Sequence, residues 1–190
     1  MSKRMLKLLP KINIVIIVLS IIICSIYTIV YLIKQDYVLM ALSALVIFLP
    51  FLIYIVDRVL KQGIPIVVKT AYLLFLFLSA VLGGVANFYE QVPLYDKIIH
   101  FASGILVSWL FAVAFISLNK KYDIKVLIFS LTCFNATTAV FWEICEFTFD
   151  TIFKKHVQRG NTDTMTDMIV AIAGSILVAL VYIDNKKKLR

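Results

Sequence analysis

The chain has 190 residues, 62% of them hydrophobic, with a mean hydropathy of +0.98 and a formal net charge of +8. A soluble globular domain is closer to half apolar, so this composition excludes that class and points to helices that cross a lipid bilayer. The basic residues collect at the ends of apolar runs, which is the pattern of membrane topology and sets aside a nucleic-acid partner.

The first apolar run, 12–33, follows Lys3, Arg4, Lys7 and Lys11 in the manner of a secretory signal. It is too long for a typical signal core, and no small-residue cleavage site follows it. Ile21-Ile22-Ile23-Cys24 also lacks the small residue that precedes a lipoprotein cysteine, so the run reads as a retained signal-anchor helix. Five further runs complete the series, at about 37–56, 65–88, 95–118, 124–149 and 164–183, each long enough for a bilayer core of about 30 Å. Gly63-Ile64-Pro65 and Gln91-Val92-Pro93 punctuate two of the short connections, and the longest link, 150–163, is polar. The expected fold is all-α: one transmembrane domain over 1–190, a polytopic bundle of six helices. Cys24, Cys133 and Cys145 all fall inside apolar runs without metal-ligand spacing, and they read as packing residues.

With the N-terminus inside, fourteen Lys and Arg residues fall on the inner side. Five (Lys34, Lys97, Lys154, Lys155 and Arg159) fall on the outer side. This asymmetry predicts cytoplasmic N- and C-termini in a bacterial cytoplasmic (inner) membrane, with membrane lipids as the surrounding partners.

That topology brings a set of ionisable groups to the outer boundary. Asp96 and His100 lie at the outer end of the fourth helix, Glu143 and Glu146 in the outer third of the fifth, and Asp163 and Asp167 at the start of the sixth. Ionisable side chains in a membrane span are costly unless paired, wetted or metal-bound, so they mark a candidate site. Asp96, Asp150 and Asp163, near helix ends, also fit solvated termini. Asp163 fits a helix cap, and Asp96 a salt bridge to Lys97. His100, Glu143, Glu146 and Asp167 lie deeper. Beneath the acids run small residues at four-residue spacing: Gly104, Ser108 and Ala112 on the fourth helix, and Ala171, Ser175 and Ala179 on the sixth. The fifth carries Ala139, Ala136, Asn135 and Thr132 below its glutamates. Such stripes let membrane helices approach closely, within one chain or in a homo-oligomer. The fourth to sixth helices are therefore expected to pack together and aim their acids into one outward pocket.

Gathered carboxylates must take up protons or recruit a cation. Asp96, His100, Glu143, Glu146, Asp163 and Asp167 suit a divalent metal: Mg²⁺, Mn²⁺ or Ca²⁺ for the carboxylates, with His100 adding tolerance for Zn²⁺. Such an ion could serve a metal-dependent membrane hydrolase or transferase, with His100 or Glu143 as the catalytic base. Asp150 and Glu90 are candidate supporting residues, and Arg159 could meet an anionic head group. The sequence has no H-E-x-x-H, G-x-S-x-G, P-loop or dinucleotide fingerprint that would fix a reaction. An ion- or proton-coupled transporter and a non-catalytic membrane partner are the alternatives. Polarity that ends about halfway along the helices favours a pocket over a through-path.

Three motifs in order carry a resemblance. Tyr95-Asp96-Lys97-Ile98-Ile99-His100-Phe101, then Trp142-Glu143 with Glu146, then Gly160-Asn161-Thr162-Asp163-Thr164 with Asp167-Met168, resemble the YjdF-like inner-membrane proteins of bacteria. The Asp-Lys-x-x-His-Phe element is also similar, more distantly, to VanZ-like membrane proteins linked to glycopeptide-antibiotic tolerance. The first resemblance covers roughly 88–179. It implies the membrane class and supports the same site residues, and it implies no particular reaction.

Overall fold

The computed structural model describes residues 3–59, 63–119, 121–155 and 157–188, and every regular element among them is helical. Lys61, Lys120, His156 and Arg190 lie outside the described residues. Six helical stretches are long and apolar enough to cross a membrane: Leu6–Ile33, Tyr37–Arg58, Ile66–Val85, Tyr95–Leu118, Ile124–Phe153 and Asn161–Asp184. These match the six expected spans, with the fifth and sixth reaching further into the link between them. The chain folds as two compact units, Met1–Tyr95 and Asp96–Arg190.

In the first unit, α1 (Lys3–Ile33) turns at Gln35, whose φ is 60°, into α2 (Tyr37–Val46). Asp36 caps α2 by accepting from the Leu39 N–H at 3.1 Å, satisfying one of the donors that a helix start leaves unpaired. The second span is interrupted: α2 ends at Val46 and α3 (Leu49–Val59) begins after a gap of two residues. Pro50 explains the break. It has no N–H to continue the α2 ladder, yet it is tolerated in the first turn of a new helix. The Tyr72 hydroxyl donates to the Leu49 carbonyl beside this break at 2.9 Å.

The third span is also irregular. From α4 (Ile66–Leu76) it passes into a π-helix over Phe77–Val85 before the short α5 (Phe88–Gln91). A π-helical turn is rarer and wider than an α-turn. Here tyrosines meet its carbonyls, Tyr95 donating to Leu78 O at 2.7 Å and Tyr31 to Val85 O at 2.9 Å. Gly83 makes room for the Tyr89 ring, which a Cβ there would approach to 2.5 Å and push aside. Cys24, Val81 and Val85 form the buried centre of this unit.

The second unit is built from α6 (Tyr95–Leu118), α7 (Ile124–Phe153) and α8 (Asn161–Lys188). Asp123 caps α7, and α7 ends at Lys154 in the left-handed region, with φ 55°. The small-residue stripes lie inside, as their spacing predicts. His100, Gly104, Ser108 and Ala112 of α6 are buried, as are Asp167, Ala171, Ser175 and Ala179 of α8. The α6–α8 crossing brings backbone against backbone. A Cβ on Gly104 would lie 2.0 Å from the Ala171 carbonyl oxygen, and one on Gly174 would lie 2.4 Å from the Phe101 carbonyl oxygen. Asn135 of α7 donates to that same Ala171 carbonyl at 3.0 Å, so all three helices meet at one level. Towards the other end of the unit, Ala112, Leu127, Leu131 and Ala179 form an apolar core with Phe111, Phe115 and Tyr182 packed against it. Large side chains on the far side of α7, among them Phe129, Phe141 and Phe147, are exposed, as a bilayer-facing surface requires. Cys133 and Cys145 share that exposure, whereas Cys24 is buried.

Candidate functional site

The charged ends of α6 and α8 adjoin above the Gly104–Ala171 crossing. Asp96 lies in the first turn of α6 and Asp163 in the first turn of α8, where a carboxylate is favoured by the helix dipole. One turn further in, His100 and Asp167 repeat each face at i, i+4. Asp167 is 2% exposed and His100 is 8% exposed, so both are core residues of the unit.

Lys97 stands between the two helices. Its ammonium donates to Asp163 Oδ1 and to Asp167 Oδ1 on α8, the second at 2.7 Å, and to Asp96 Oδ2 on α6 at 3.2 Å. One cation thus serves three carboxylates, and these charge-assisted bonds staple α6 to α8. His100 Nε2 lies 3.5 Å from Asp96 Oδ1 and 3.9 Å from Asp167 Oδ1. Arg159, from the α7–α8 link, places a guanidinium nitrogen 3.9 Å from Asp96 Oδ2.

Asp96, His100 and Asp167 each present one ligand atom, all within 4.8 Å of one another. Ligands on a cation bonded at about 2.0–2.2 Å sit about 3–3.5 Å apart, so closing this triad on an ion asks for side-chain shifts on the order of 1 Å. Two carboxylates and one imidazole form a donor set that suits Mn²⁺ or Zn²⁺ and tolerates harder ions.

The glutamates of α7 divide. Glu143 is buried and lies in the field of His100, Asp167 and Asp96, with the Thr164 hydroxyl beside its carboxyl group. Its Oε1 has no hydrogen-bond partner among the described residues. Glu146 lies in the field of His100 and Asp96 as well, and it differs in accepting from the Trp142 indole N–H at 2.7 Å, within its own helix. Asp150 is structural. It accepts from the Val157 and Gln158 N–H groups, both at 2.8 Å, and so closes the link that carries Arg159. Glu90 belongs to α5 in the first unit.

Of the residues singled out in the sequence, direct contacts therefore join Asp96, His100, Asp163 and Asp167, with Glu143 adjoining and Glu146 held by Trp142. Lys97 is the residue whose full part sequence reading missed. Its pairing with Asp96 was visible from adjacency, but its reach to α8 depends on how two helices pack.

Six apolar spans and an acid–histidine cluster define an integral, multi-pass, all-α membrane protein. The chain belongs to the predicted membrane protein family DUF2238, whose model matches residues 14–188, the YjdF-like family that the motifs resemble. It is similar to an uncharacterized protein of Thermotoga maritima, 29% identical over 135 residues, which cover 70% of each chain. No solved structure matches significantly.

Proposed function

We propose that this protein lies in the bacterial cytoplasmic membrane with both termini in the cytoplasm. It binds a divalent cation between α6 and α8 at the extracytoplasmic boundary, and there engages a lipid or envelope head group. The observation that carries this reading is the triad of Asp96, His100 and Asp167, drawn from two helices with two members buried. Buried carboxylates that converge on an imidazole are expensive to maintain unless a cation pairs them, a part that Lys97 plays in this structure and that a divalent ion could take over. The topology rests on the fourteen-to-five asymmetry of basic residues.

A bound ion would supply Lewis acidity toward a phosphoryl or acyl oxygen, which is the chemistry of a metal-dependent hydrolase or transferase. In that chemistry His100 and Glu143 would move a proton, a reading supported by the imidazole of one and the unpaired carboxyl oxygen of the other. An ion- or proton-coupled transporter is less well supported. Ser108, Ser175, Thr132 and Asn135 extend polarity below the cluster, but the apolar core around Ala112, Leu127, Leu131 and Ala179 then closes the interior of the unit.

Equilibrium dialysis of the detergent-solubilised protein against Mn²⁺, Zn²⁺, Mg²⁺ and Ca²⁺ tests the reading. One ion per chain is expected for at least one of these metals, with affinity reduced at least about tenfold in His100→Ala and in Asp167→Asn. Wild-type protein that binds none of the four, or variants that bind as well as wild type, would reject it.

A further inference from the structure

The proposed cation site shares two of its three ligand residues with Lys97. Asp167 Oδ1, which stands 3.9 Å from His100 Nε2, is also the acceptor for the Lys97 ammonium at 2.7 Å. Asp96 turns one oxygen to His100 and the other to Lys97. An ion at the triad would therefore stand within a few ångströms of a like charge, in a setting that screens poorly. Ammonium and ion therefore compete for these carboxylates.

A second observation comes from α7. Glu143 is 6% exposed; its carboxyl group meets the Thr164 hydroxyl of α8, next in sequence to Asp163, and its Oε1 has no partner among the described residues. A buried carboxyl oxygen left without a hydrogen bond is costly unless it serves a ligand. It is also the charge that an exchange would need. Replacing the single charge of Lys97 by a divalent ion adds one positive charge to the cluster, and one further carboxylate balances it.

We infer that Lys97 is a tethered stand-in for the cation: its ammonium holds the Asp96–Asp163–Asp167 cluster until a divalent ion displaces it, and Glu143 then joins Asp96, His100 and Asp167 as the fourth ligand. This rests on the cation reading above and adds its regulation. Lys97 sets the affinity of the site by competing for it, and ion binding draws the Glu143 end of α7 towards the α6–α8 pair it already packs on.

The test uses Mn²⁺ as the probe and the full-length protein in detergent. Removing the competitor should strengthen binding, so Lys97→Met binds Mn²⁺ about tenfold or more tightly than wild type, while Lys97→Arg, which keeps the charge, stays close to wild type. Glu143→Gln binds at least about tenfold more weakly. A merely structural lysine predicts the opposite sign for Lys97→Met. A second measurement needs only the wild-type protein. Acylation of Lys97 by a water-soluble amine reagent, quantified by peptide mass spectrometry, should rise when Mn²⁺ saturates the site. Lys97 acylation that is unchanged or reduced by saturating Mn²⁺ overturns the exchange and leaves the cation reading standing. So does a Lys97→Met variant that folds and binds no more tightly than wild type. Absence of Mn²⁺ binding in both wild type and Lys97→Met overturns the exchange and, with the other three metals also negative, the cation reading.

Discussion

Gly104→Val is expected to destabilise the Asp96–Arg190 unit by about 3 kcal/mol, the upper end of what overpacking costs. The reason is what the new side chain would meet. A Cβ at Gly104 would stand 2.0 Å from the Ala171 carbonyl oxygen and 3.0 Å from the Ala171 Cα. Backbone cannot rotate aside as a side chain can, so α6 and α8 must separate. Separation would also stretch the Asn135 bond to the same carbonyl and the Lys97 bonds to Asp163 and Asp167. Lipid offers no hydrophobic drive to hold the helices together once close packing is lost. Thermal unfolding in detergent and the monodisperse yield measure the effect. Gly84→Ala is the control, because a Cβ at Gly84 meets nothing within 4 Å, and it should unfold as wild type does. A Gly104→Val protein as stable as Gly84→Ala would contradict the backbone contact between α6 and α8.

Lys97→Met is expected to be the most damaging single change in the acid cluster when divalent ions are chelated. It leaves Asp96, Asp163 and Asp167 without the ammonium that joins them, and Asp167 is almost wholly buried. Removing one partner of a buried ion pair costs about 3–5 kcal/mol, because the remaining charge stays desolvated and unpaired. Arg159, 3.9 Å from Asp96, compensates only one of the three. If a divalent ion takes the place of Lys97, it should return much of this stability, as any ligand does that binds only the folded state. The measurement is the unfolding temperature of Lys97→Met and wild type, each with chelator and with Mn²⁺. The expected result is a deficit in chelator that Mn²⁺ narrows, with a larger Mn²⁺ shift for the variant than for wild type. A deficit that Mn²⁺ leaves untouched would assign Lys97 a purely structural role.

Much of this architecture can be read from residue order, because hydropathy and four-residue spacing are local properties. The six spans follow from run length. The buried faces of α6 and α8 follow from Asp96, His100, Gly104, Ser108 and Ala112, and from Asp163, Asp167, Ala171, Ser175 and Ala179. Features that depend on neighbouring helices were not legible. Lys97 looks like a partner for Asp96 alone until α8 lies beside it. Gly174 falls one residue off the four-residue stripe, on the adjacent three-residue ridge from Ala171, yet it too lies against the α6 backbone, at the Phe101 carbonyl. The capture of Glu146 by Trp142 was available in principle, since the two are four residues apart on one helix. The use of Asp150 by the link depends on a loop path that spacing does not encode. The break at Pro50 had a visible cause, whereas the π-helix over Phe77–Val85 had none beyond the Gly83-Gly84 pair.

The central claim is that His100 and its neighbouring carboxylates hold one divalent cation, and pulsed electron paramagnetic resonance of bound Mn²⁺ tests it most directly. Wild-type protein loaded with Mn²⁺ should show modulation from one directly bonded imidazole nitrogen. Uniform ¹⁵N labelling should change it, and His100→Ala should abolish it. Bound Mn²⁺ without a coupled nitrogen, or with a nitrogen signal that survives His100→Ala, would contradict the assignment of the site to Asp96, His100 and Asp167.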